Sequence, residues 1–482
     1  MSIENQNLDP SSNSESCPAV DNENSIQVIY GSDDPNKGYV IDNSKLVRFT
    51  VYESFFQKLP TLKLVLLDIG TLFHNNGFQI GNKIFIELRP KLGDDDIQPK
   101  PYISCSFVIQ SFEYGLDQDR AEYVYTINAV YAAEKYMNDI CIWPVNEDNQ
   151  LPIQKSDSKK DYTSNELLSN IISKAGLSYS FELENDTNDN MSWLNSTLTY
   201  LEFVEKIVNH AWIDENDMPL LYIDKSGVAH YTSLNTLCDA ASTANYIQHT
   251  KYQKIYDPKS TDMNTKEKQN AYRVYTDIYM SNIGFIQNRG GYNVKKYIFN
   301  PYNNSELDNE KFKESVFDIK NKNANTENDT CFREHEFIDT GENNKPRLAG
   351  ITNRSATQTD NCRTHDVSMH FMQTHENYDY APLHHETIRH SFYQVFTFMS
   401  INTANQPGLI MDANERPYLG QKISIDFTSV SNIVSIENNS FIIAGLTHDY
   451  TFGQKYTIMA TCVSDGIGGI GENQKENKNT QK

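Results

Sequence analysis

The sequence is short of basic residues, of cysteine and of long apolar runs, and each shortage excludes a class of protein. Its 482 residues carry 64 acidic against 42 basic side chains, a net charge of −22. Such a charge opposes binding to nucleic acid, which depends on clustered Lys and Arg that neutralise phosphates. The seven cysteines are an odd number without a Cys-x-x-Cys pair, which argues against a disulfide framework and a thiolate zinc site. No stretch approaches the roughly 20 apolar residues of a membrane-spanning helix.

Markers of secretion and of common enzyme classes are missing as well. Residues 1–18 have neither the basic start nor the apolar run of a signal peptide, so we expect folding in a reducing cytoplasm. No Gly-x-Ser-x-Gly elbow, phosphate loop or Rossmann fingerprint occurs, and NRGGYN (288–293) predicts a turn. Asp94, Asp95 and Asp96 lack the Gly and Glu of a calcium loop and predict a solvated loop. We therefore predict no enzyme and no catalytic, cofactor or metal site.

A β passage, in contrast, occurs twice, at opposite ends of the chain. The run GNKIFIEL (81–88) matches GQKISIDF (420–427). Two further runs follow each of them in the same order: CSFVIQSFEY (105–114) and EYVYTINAV (122–130) in the first copy, NSFIIAGLTHDY (439–450) and QKYTIMATCV (454–463) in the second. Three ordered matches, each with the alternation of a half-buried strand, indicate a duplicated β module.

Two helices and a hairpin are predicted between the two copies. Each helix begins with a capping box, Thr163 with Glu166 and Thr199 with Glu202. Gly176 is placed to end the first helix. The second helix carries a predicted buried stripe made of Leu201, Val204, Ile207 and Val208. Residues 220–234 predict a hairpin that turns at Asp224-Lys225-Ser226-Gly227.

Further strands are predicted outside the repeated runs, and the middle of the chain has a weaker pattern. The strand-like segments are LVRFTVYESF (46–55), TLKLVLLDIG (61–70), NAYRVYTDIYMSNIGFI (270–286) and SFYQVFTFMSI (391–401). Residues 305–330 predict a charged amphipathic helix that runs into a loop. Cys105 and Cys462 lie in strand-like runs and are predicted to be small core residues.

The predicted fold class is mainly β with α+β parts. It comprises two tube-like antiparallel β-barrel domains, an inserted helix–hairpin α/β domain and a further irregular insertion. The predicted boundaries are a disordered N-terminus (1–24), the first tube-like barrel (25–146), the α/β domain (147–238), the start of the second barrel with an inserted domain (239–389), the second tube-like barrel (390–465) and a flexible tail (466–482).

The chain resembles the central hub proteins of contractile phage baseplates and their relatives in type VI secretion spikes. The resemblance is carried by GNKIFIEL, GQKISIDF and the hairpins that follow them. It is also carried by residues 199–234, a helix, a strand ending in Asp-x-x-Gly and a further strand. It covers about two-thirds of the chain and leaves out the middle region. In that family two tube-like barrels lie in one chain, and three chains form a ring with pseudo-sixfold symmetry.

This resemblance implies a structural function in the tail baseplate of a virion, assembled in the host cytoplasm. The chain is expected to form a homotrimer that joins a sixfold tail tube to a threefold central spike. The implied partners are the spike protein, the tube protein or a tube initiator, and other baseplate proteins. DNA would pass through the ring without specific binding. A hub of a tailocin or of a secretion machine is the alternative within the same class.

A second function class rests on a cluster of histidines near residue 380. Its members are His365, His370, His375, His384, His385 and His390. His385-Glu386 with His390 is one residue too long for the two-histidine motif of a zinc protease, so a surface or packing role is predicted. The alternative is a metal-dependent hydrolase carried by the His365–His390 segment. Its first candidate ligands are His384 and His390, because an even spacing on a strand puts both side chains on one face.

Overall fold

The computed structural model describes most of the two ends of the chain and parts of its middle. The described residues are 24–32, 37–67, 79–90, 100–117, 122–144, 162–183, 186–191, 193–214, 217–240, 244–248, 271–274, 278–280, 294–299, 313–315, 347–353, 375, 377–378, 381–392, 395–402, 416–427, 436–452 and 456–464. Outside them lie several predicted features: the two terminal segments, Asp94–Asp96, the 288–293 turn, His365 and His370. Strands greatly outnumber helices in the described part of the chain, which confirms the mainly β class.

The first module is a curled antiparallel sheet near the N-terminus. Its strands are β1 (Asn24–Tyr30), β2 (Tyr39–Ile41), β3 (Leu46–Ser54), β4 (Thr61–Leu67), β5 (Lys83–Pro90), β6 (Ile103–Asp117) and β7 (Glu122–Tyr131). They pair in the order β3-β4-β7-β6-β5-β1-β2. A single 3₁₀ turn, Asn43–Lys45, joins β2 to β3, so the two ends of this order are close in the chain. Burial alternates along β4 and β5, as expected for strands with one face on a core.

An α/β unit follows, and its helices begin at the predicted capping boxes. Its elements are α1 (Glu134–Asn138), α2 (Ser164–Lys174), β8 (Ser178–Glu182), α3 (Tyr200–His210), β9 (Pro219–Ile223), β10 (Val228–Ser233) and α4 (Leu234–Asp239). Both capping boxes are present, with Thr163 and Thr199 as the N-caps. Val204 and Ile207 are buried as predicted, whereas Phe203, which the predicted stripe left out, is also buried. Strand β10 lies between β8 and β9.

The middle of the chain contributes short strands and one helix to the described structure. These are β11 (Ala244–Gln248), β12 (Ala271–Val274), β13 (Ile278–Met280), β14 (Val294–Phe299), β15 (Lys313–Ser315), β16 (Arg347–Asn353) and α5 (Ala381–Phe392). Strands β14, β15 and β16 form a separate sheet. The prediction of a helix over 305–330 is wrong at 313–315, which form a strand that pairs with β14. Strands β12 and β13 confirm the strand prediction for 270–286 at these seven residues, and the rest of that segment lies outside the described residues.

The second module uses the C-terminal strands together with three from the middle. The C-terminal strands are β17 (Val395–Asn402), β18 (Lys422–Phe427), β19 (Ile436–Thr451) and β20 (Thr457–Ser464). The module's order is β13-β17-β20-β19-β18-β11-β12. This order reproduces the first module strand for strand, with β5, β6 and β7 answering to β18, β19 and β20. One difference is that β11 runs parallel to β18, whereas β1 runs antiparallel to β5.

Candidate functional site: the junction between the two modules

The turn that begins the repeated run has one geometry in both modules. Gly81 and Gly420 have φ of 90° and 82°, the left-handed region that favours glycine. Gly81 N–H donates to the carbonyl of Ile109 at 2.9 Å, and Gly420 N–H donates to that of Ile443 at 2.9 Å. The repeated glycine therefore marks equivalent places in the two sheets, and GNKIFIEL and GQKISIDF occupy equivalent strands.

The two modules also share a β-bulge, which fixes the equivalence residue by residue. In the first module Val108 pairs with Val130, and the register of β6 on β7 shifts between Ile109 and Ser111. In the second, Ile442 pairs with Val463, and the register of β19 on β20 shifts between Ile443 and Gly445. Ser111–Asp117 of β6 thus correspond to Gly445–Thr451 of β19. A bulge shifts the alternation of side chains between the two faces by one residue. This shift occurs at equivalent positions in the two modules.

The modules are joined edge to edge by β19 and β3. Gly445–Thr451 pair antiparallel with Arg48–Ser54 in one continuous register. Phe55 N–H donates to the carbonyl of Ala444 at 3.0 Å and Phe452 N–H to that of Val47 at 2.9 Å, which bonds both ends of the ladder. We call this ladder the inter-module junction. It links residues about 400 positions apart and makes one sheet of both modules.

A buried polar network lies under the inter-module junction. The carboxylate of Glu53 accepts hydrogen bonds from Lys225 N–H at 2.6 Å and from His448 Nε2 at 3.0 Å, and lies 3.4 Å from the Lys225 ammonium. His448 Nδ1 lies 2.6 Å from the Tyr456 hydroxyl. When Nε2 is the protonated nitrogen, Nδ1 accepts a hydrogen bond from this hydroxyl. Glu53, His448 and Tyr456 are fully buried. The network therefore joins β3, β19, the residue before β20 and the turn after β9.

The network sets the ionisation of its members. Burial raises the pKa of Glu53, but the Lys225 ammonium and the hydrogen bonds from His448 and Lys225 outweigh it and lower the pKa to about 2. Burial lowers the pKa of His448, the Lys225 charge lowers it further, and the Glu53 carboxylate opposes both. A neutral imidazole between a carboxylate and a hydroxyl is consistent with both shifts. The arrangement holds one buried negative charge next to one lysine.

The α/β unit is seated against both modules through residues of its hairpin. Lys225 belongs to the predicted 224–227 turn and reaches Glu53 of the first module. The Tyr222 hydroxyl donates a hydrogen bond to the carbonyl of Leu419 in the second module at 3.2 Å. A Cβ added to Gly227 would meet the Tyr131 hydroxyl at 1.9 Å, so only glycine allows this approach of the turn to β7. The α/β unit therefore fastens the inter-module junction from one side.

The sequence did not single out Glu53, Lys225 or His448, yet it carried a signal for two of them. Glu53 follows Phe49 and Val51 in the buried phase of β3, and His448 lies between Leu446 and Tyr450 in the buried phase of β19. A charged or titratable residue in an apolar phase calls for a buried partner, because an unpaired one is costly. The partner itself, Lys225, carries no such signal.

The histidine-rich segment serves as packing where the structure describes it. His375 Nε2–H donates to the carbonyl of His210 at 2.8 Å, and the His210 ring stacks on Tyr378 at 3.9 Å. His384 packs against Trp212 with the rings 4.7 Å apart. Burial, with the nearby His384 and Arg389, holds the pKa of His385 well below its usual range. These contacts attach α5 and the residues before it to the end of α3.

The strand geometry assumed for His384 and His390 is wrong. Both residues lie on helix α5, where a spacing of six turns the two positions about 120° apart. Within the described residues, no group of three or more His, Cys, Asp and Glu side chains converges as metal ligands would. Within the same residues, no helix is long and apolar enough to cross a membrane.

Comparison with known proteins gives structural neighbours without a sequence match. No protein-family model and no curated protein matches the chain. A tail protein from Neisseria meningitidis MC58 has a TM-score of 0.45 at 9% identity, over 92% of this chain and 98% of that one. The 43 kDa tail protein of prophage MuSo2 from Shewanella oneidensis has a TM-score of 0.43 at 9% identity, over 92% and 99%.

A third neighbour is the c3393 protein of Escherichia coli, a component of the type VI secretion system with structural similarity to the bacteriophage T4 tail proteins gp27 and gp5. Its TM-score is 0.34 at 7% identity, over 87% of this chain and 73% of that one. All three neighbours are thus phage tail or secretion-system proteins.

Proposed function

We propose that this protein is the structural hub of a contractile phage tail baseplate. Three copies form a ring that joins a sixfold tail tube to a threefold central spike, and the ring is part of the DNA conduit. The resemblance described from the sequence gives this role. The chain acts as scaffolding and needs no catalytic group, cofactor or metal for it.

One observation carries the proposal, namely two β modules that share their strand order and, in their central strands, the register and the bulge, and that are joined edge to edge. A tube of six equivalent subunits presents six docking positions. A chain with two equivalent modules meets these positions with three copies, which also match a threefold spike. A contact of the same kind between successive chains is heterologous, and such contacts close into a ring when the rotation allows it.

The side of the junction opposite the buried network suits the wall of a conduit. Polar side chains lie there on neighbouring strands: Arg48, Thr50, Lys63, Asn128, Thr447 and Asp449. Asp449 accepts hydrogen bonds from Arg48 Nε at 2.6 Å and from Thr50 Oγ1 at 2.9 Å, so the Arg48 charge is already paired. A strongly acidic chain retains a polyanion weakly, and the Arg48 cation on this face is already neutralised. DNA then slides past without sticking.

The decisive experiment combines the solution mass of the full chain with imaging of the assembled tail. Analytical ultracentrifugation over a wide concentration range is expected to show one chain at the dilute end and three chains per particle at the other. Electron microscopy of the assembled tail is expected to show three copies around the axis. One copy or six copies would overturn the proposal.

DNA binding provides a separate test of the conduit. In a filter assay at moderate salt, the full chain is expected to retain duplex DNA weakly or not at all. The expected reason is the net charge of −22. Tight retention that falls steeply with added salt would contradict the conduit and leave the ring itself untouched.

A further inference from the structure

Among the described residues, no strand covers the edge of β6 in the first module, whereas its counterpart in the second module is covered. Strand β19 pairs with β20 on one side, and on the other with β18 and then β3. Strand β6 likewise pairs with β7 on one side and with β5 on the other. Within the described residues, Ser111–Asp117 are registered only with β7. We call these seven residues the β6 edge.

Two apolar side chains of the β6 edge are exposed, next to the charged Glu113 and Asp117. Tyr114 and Leu116 are 67% and 55% exposed. Their counterparts by register are His448 and Tyr450, which are 1% and 3% exposed because β3 lies beside them. A single exposed apolar residue needs no explanation, but two on one face of an uncovered edge favour strand addition.

The equivalence of the two modules identifies the strand that would cover this edge. In the junction the covering strand is β3, and its counterpart is β13, which pairs with β17 as β3 pairs with β4. By these registers, Val51 and Tyr52 correspond to Ile278 and Tyr279. Strand β13 belongs to the second module of the same chain, where it pairs with β17. The β13 that covers the β6 edge must then come from a second copy.

We infer that the β6 edge docks β13 of a second copy of this chain, in the register of the inter-module junction. The pairing then places Phe112 opposite Met280, Glu113 opposite Tyr279 and Tyr114 opposite Ile278. The contact is heterologous, so each copy gives one β13 and receives one. This inference rests on the ring proposed above and names the residues that close it.

The hydrogen-bond phase of the junction shows which positions to change. Phe55 bonds to Ala444 and Phe452 bonds to Val47, so these pairs and every second pair between them are hydrogen-bonded. Thr447 opposite Tyr52 is therefore a non-hydrogen-bonded pair, whose side chains lie closest across the ladder. Its counterpart between two copies is Glu113 opposite Tyr279. Cysteines at these two positions are placed to form a disulfide.

The test is oxidative cross-linking of the full chain at concentrations where the ring forms. The double variant Glu113→Cys with Tyr279→Cys is expected to give covalent dimers and trimers on a non-reducing gel. A matched control, Glu113→Cys with Ile278→Cys, moves one cysteine to the opposite face of β13 and is expected to give at least tenfold less. The parent chain supplies the background, since its four described cysteines are buried.

A second variant keeps the inference testable if the cysteine pair harms folding. By the same phase, the N–H of Tyr114 points away from β7, so Tyr114→Pro removes no bond of the β6–β7 ladder but blocks strand addition. This variant is expected to fold as a monomer with an unchanged circular dichroism spectrum and to lose the three-chain species at every concentration tested.

Each remaining outcome separates this inference from the proposed function. A three-chain particle with no cross-link, or with equal cross-linking of both cysteine pairs, would overturn the β6–β13 contact and leave the ring standing. A three-chain particle formed by a folded Tyr114→Pro variant would do the same. A parent chain that stays a monomer at every concentration and in the assembled tail would overturn both.

Discussion

The two modules contain the same strand passage in two different surroundings. Strand β19 carries His448 and Tyr450 into a core, because β3 covers its edge. Strand β6 carries Tyr114 and Leu116 at the corresponding positions and exposes them. The bulge and the register are the same in both, so the backbone does not explain the difference. Among the described residues, what differs is the neighbouring strand, which lies beside β19 together with a buried polar network and is not found beside the end of β6.

The largest expected difference is between alanine substitutions at two equivalent positions, Tyr450 in the second module and Leu116 in the first. Tyr450→Ala is expected to lower the free energy of unfolding by about 4 kcal/mol, because Tyr450 is buried and stacks on Phe49 at 5.5 Å. Leu116→Ala is expected to change it by less than about 0.5 kcal/mol in the dilute chain, since Leu116 is exposed. Urea unfolding at low concentration measures both. Equal losses would show that the two edges are not in different surroundings.

The buried network should be the next most sensitive feature. Glu53→Gln is expected to cost about 3 kcal/mol, because it leaves the Lys225 ammonium without its carboxylate at a buried site. The control is Glu205→Gln, which removes an exposed ion pair to Lys58 at 2.8 Å and is expected to cost less than about 1 kcal/mol. The same unfolding assay compares them. A loss no larger than that of the control would mean that the network does not stabilise the junction.

Alanine substitutions at the two repeated glycines, Gly81 and Gly420, are expected to have smaller effects on the free energy of unfolding. Gly81→Ala is expected to cost about 1 kcal/mol, the strain of a left-handed alanine, since no atom lies within 4 Å of the added Cβ. Gly420→Ala is expected to cost about 2 kcal/mol, because its Cβ would lie 2.7 Å from the Tyr222 hydroxyl, which is held by Leu419. Thermal unfolding of both variants checks the order. A larger loss at Gly81 would contradict it.

Acid should weaken the inter-module junction through protonation of His448. Its pKa is lowered in the folded chain, so folding favours the neutral ring. The stabilisation is complete above the unfolded pKa near 6.5 and is lost as the pH falls toward the folded pKa. The unfolding free energy should therefore fall between pH 6.5 and 5 by at most about 1.4 kcal/mol per pH unit from this group.

The control for the acid effect is His448→Gln, which retains a donor for Glu53 and an acceptor for Tyr456 but does not titrate. Its unfolding free energy should fall less than that of the parent chain over the same pH range. Below pH 4.5 both chains should lose stability further, because the pKa of Glu53 is lowered to about 2 and its carboxylate becomes protonated. Parallel curves from pH 6.5 to 5 would exclude His448 as the titrating group.

Local patterns predicted the fold wherever the signal was periodic and the partner was near in sequence. The alternation of the repeated runs predicted the strands, and Thr163 and Thr199 predicted where two helices begin. Only the alternative interpretation of the histidine segment used the wrong geometry, because it placed His384 and His390 on a strand and both lie on a helix. Short segments of mixed polarity suit either period, and only the packing of α5 on α3 decides between them.

The inter-module junction was beyond local patterns for a different reason. The alternation of β3 and β19 shows that each buries one face, but not which strand lies at each edge. The bulges after Ile109 and Ile443 shift the alternation by one residue, and only the second has an adjacent glycine, Gly445. Lys225 is 172 residues from Glu53, and nothing in its own neighbourhood marks it as a partner. Ring contacts and the six segment boundaries remain predictions.

The separation of about 400 residues between Arg48 and Asp449 has a consequence for synthesis. At typical ribosomal speeds, the second half of the ladder emerges roughly 20 to 80 s after the first. During that interval β3 is a bare edge on a nascent chain, next to other nascent chains on the same message. A completed β19 from a neighbouring polypeptide offers β3 the same hydrogen bonds as its own. Correct pairing therefore depends on chains being kept apart until β19 has emerged, and a chain truncated before residue 445 retains an edge that it cannot cover itself.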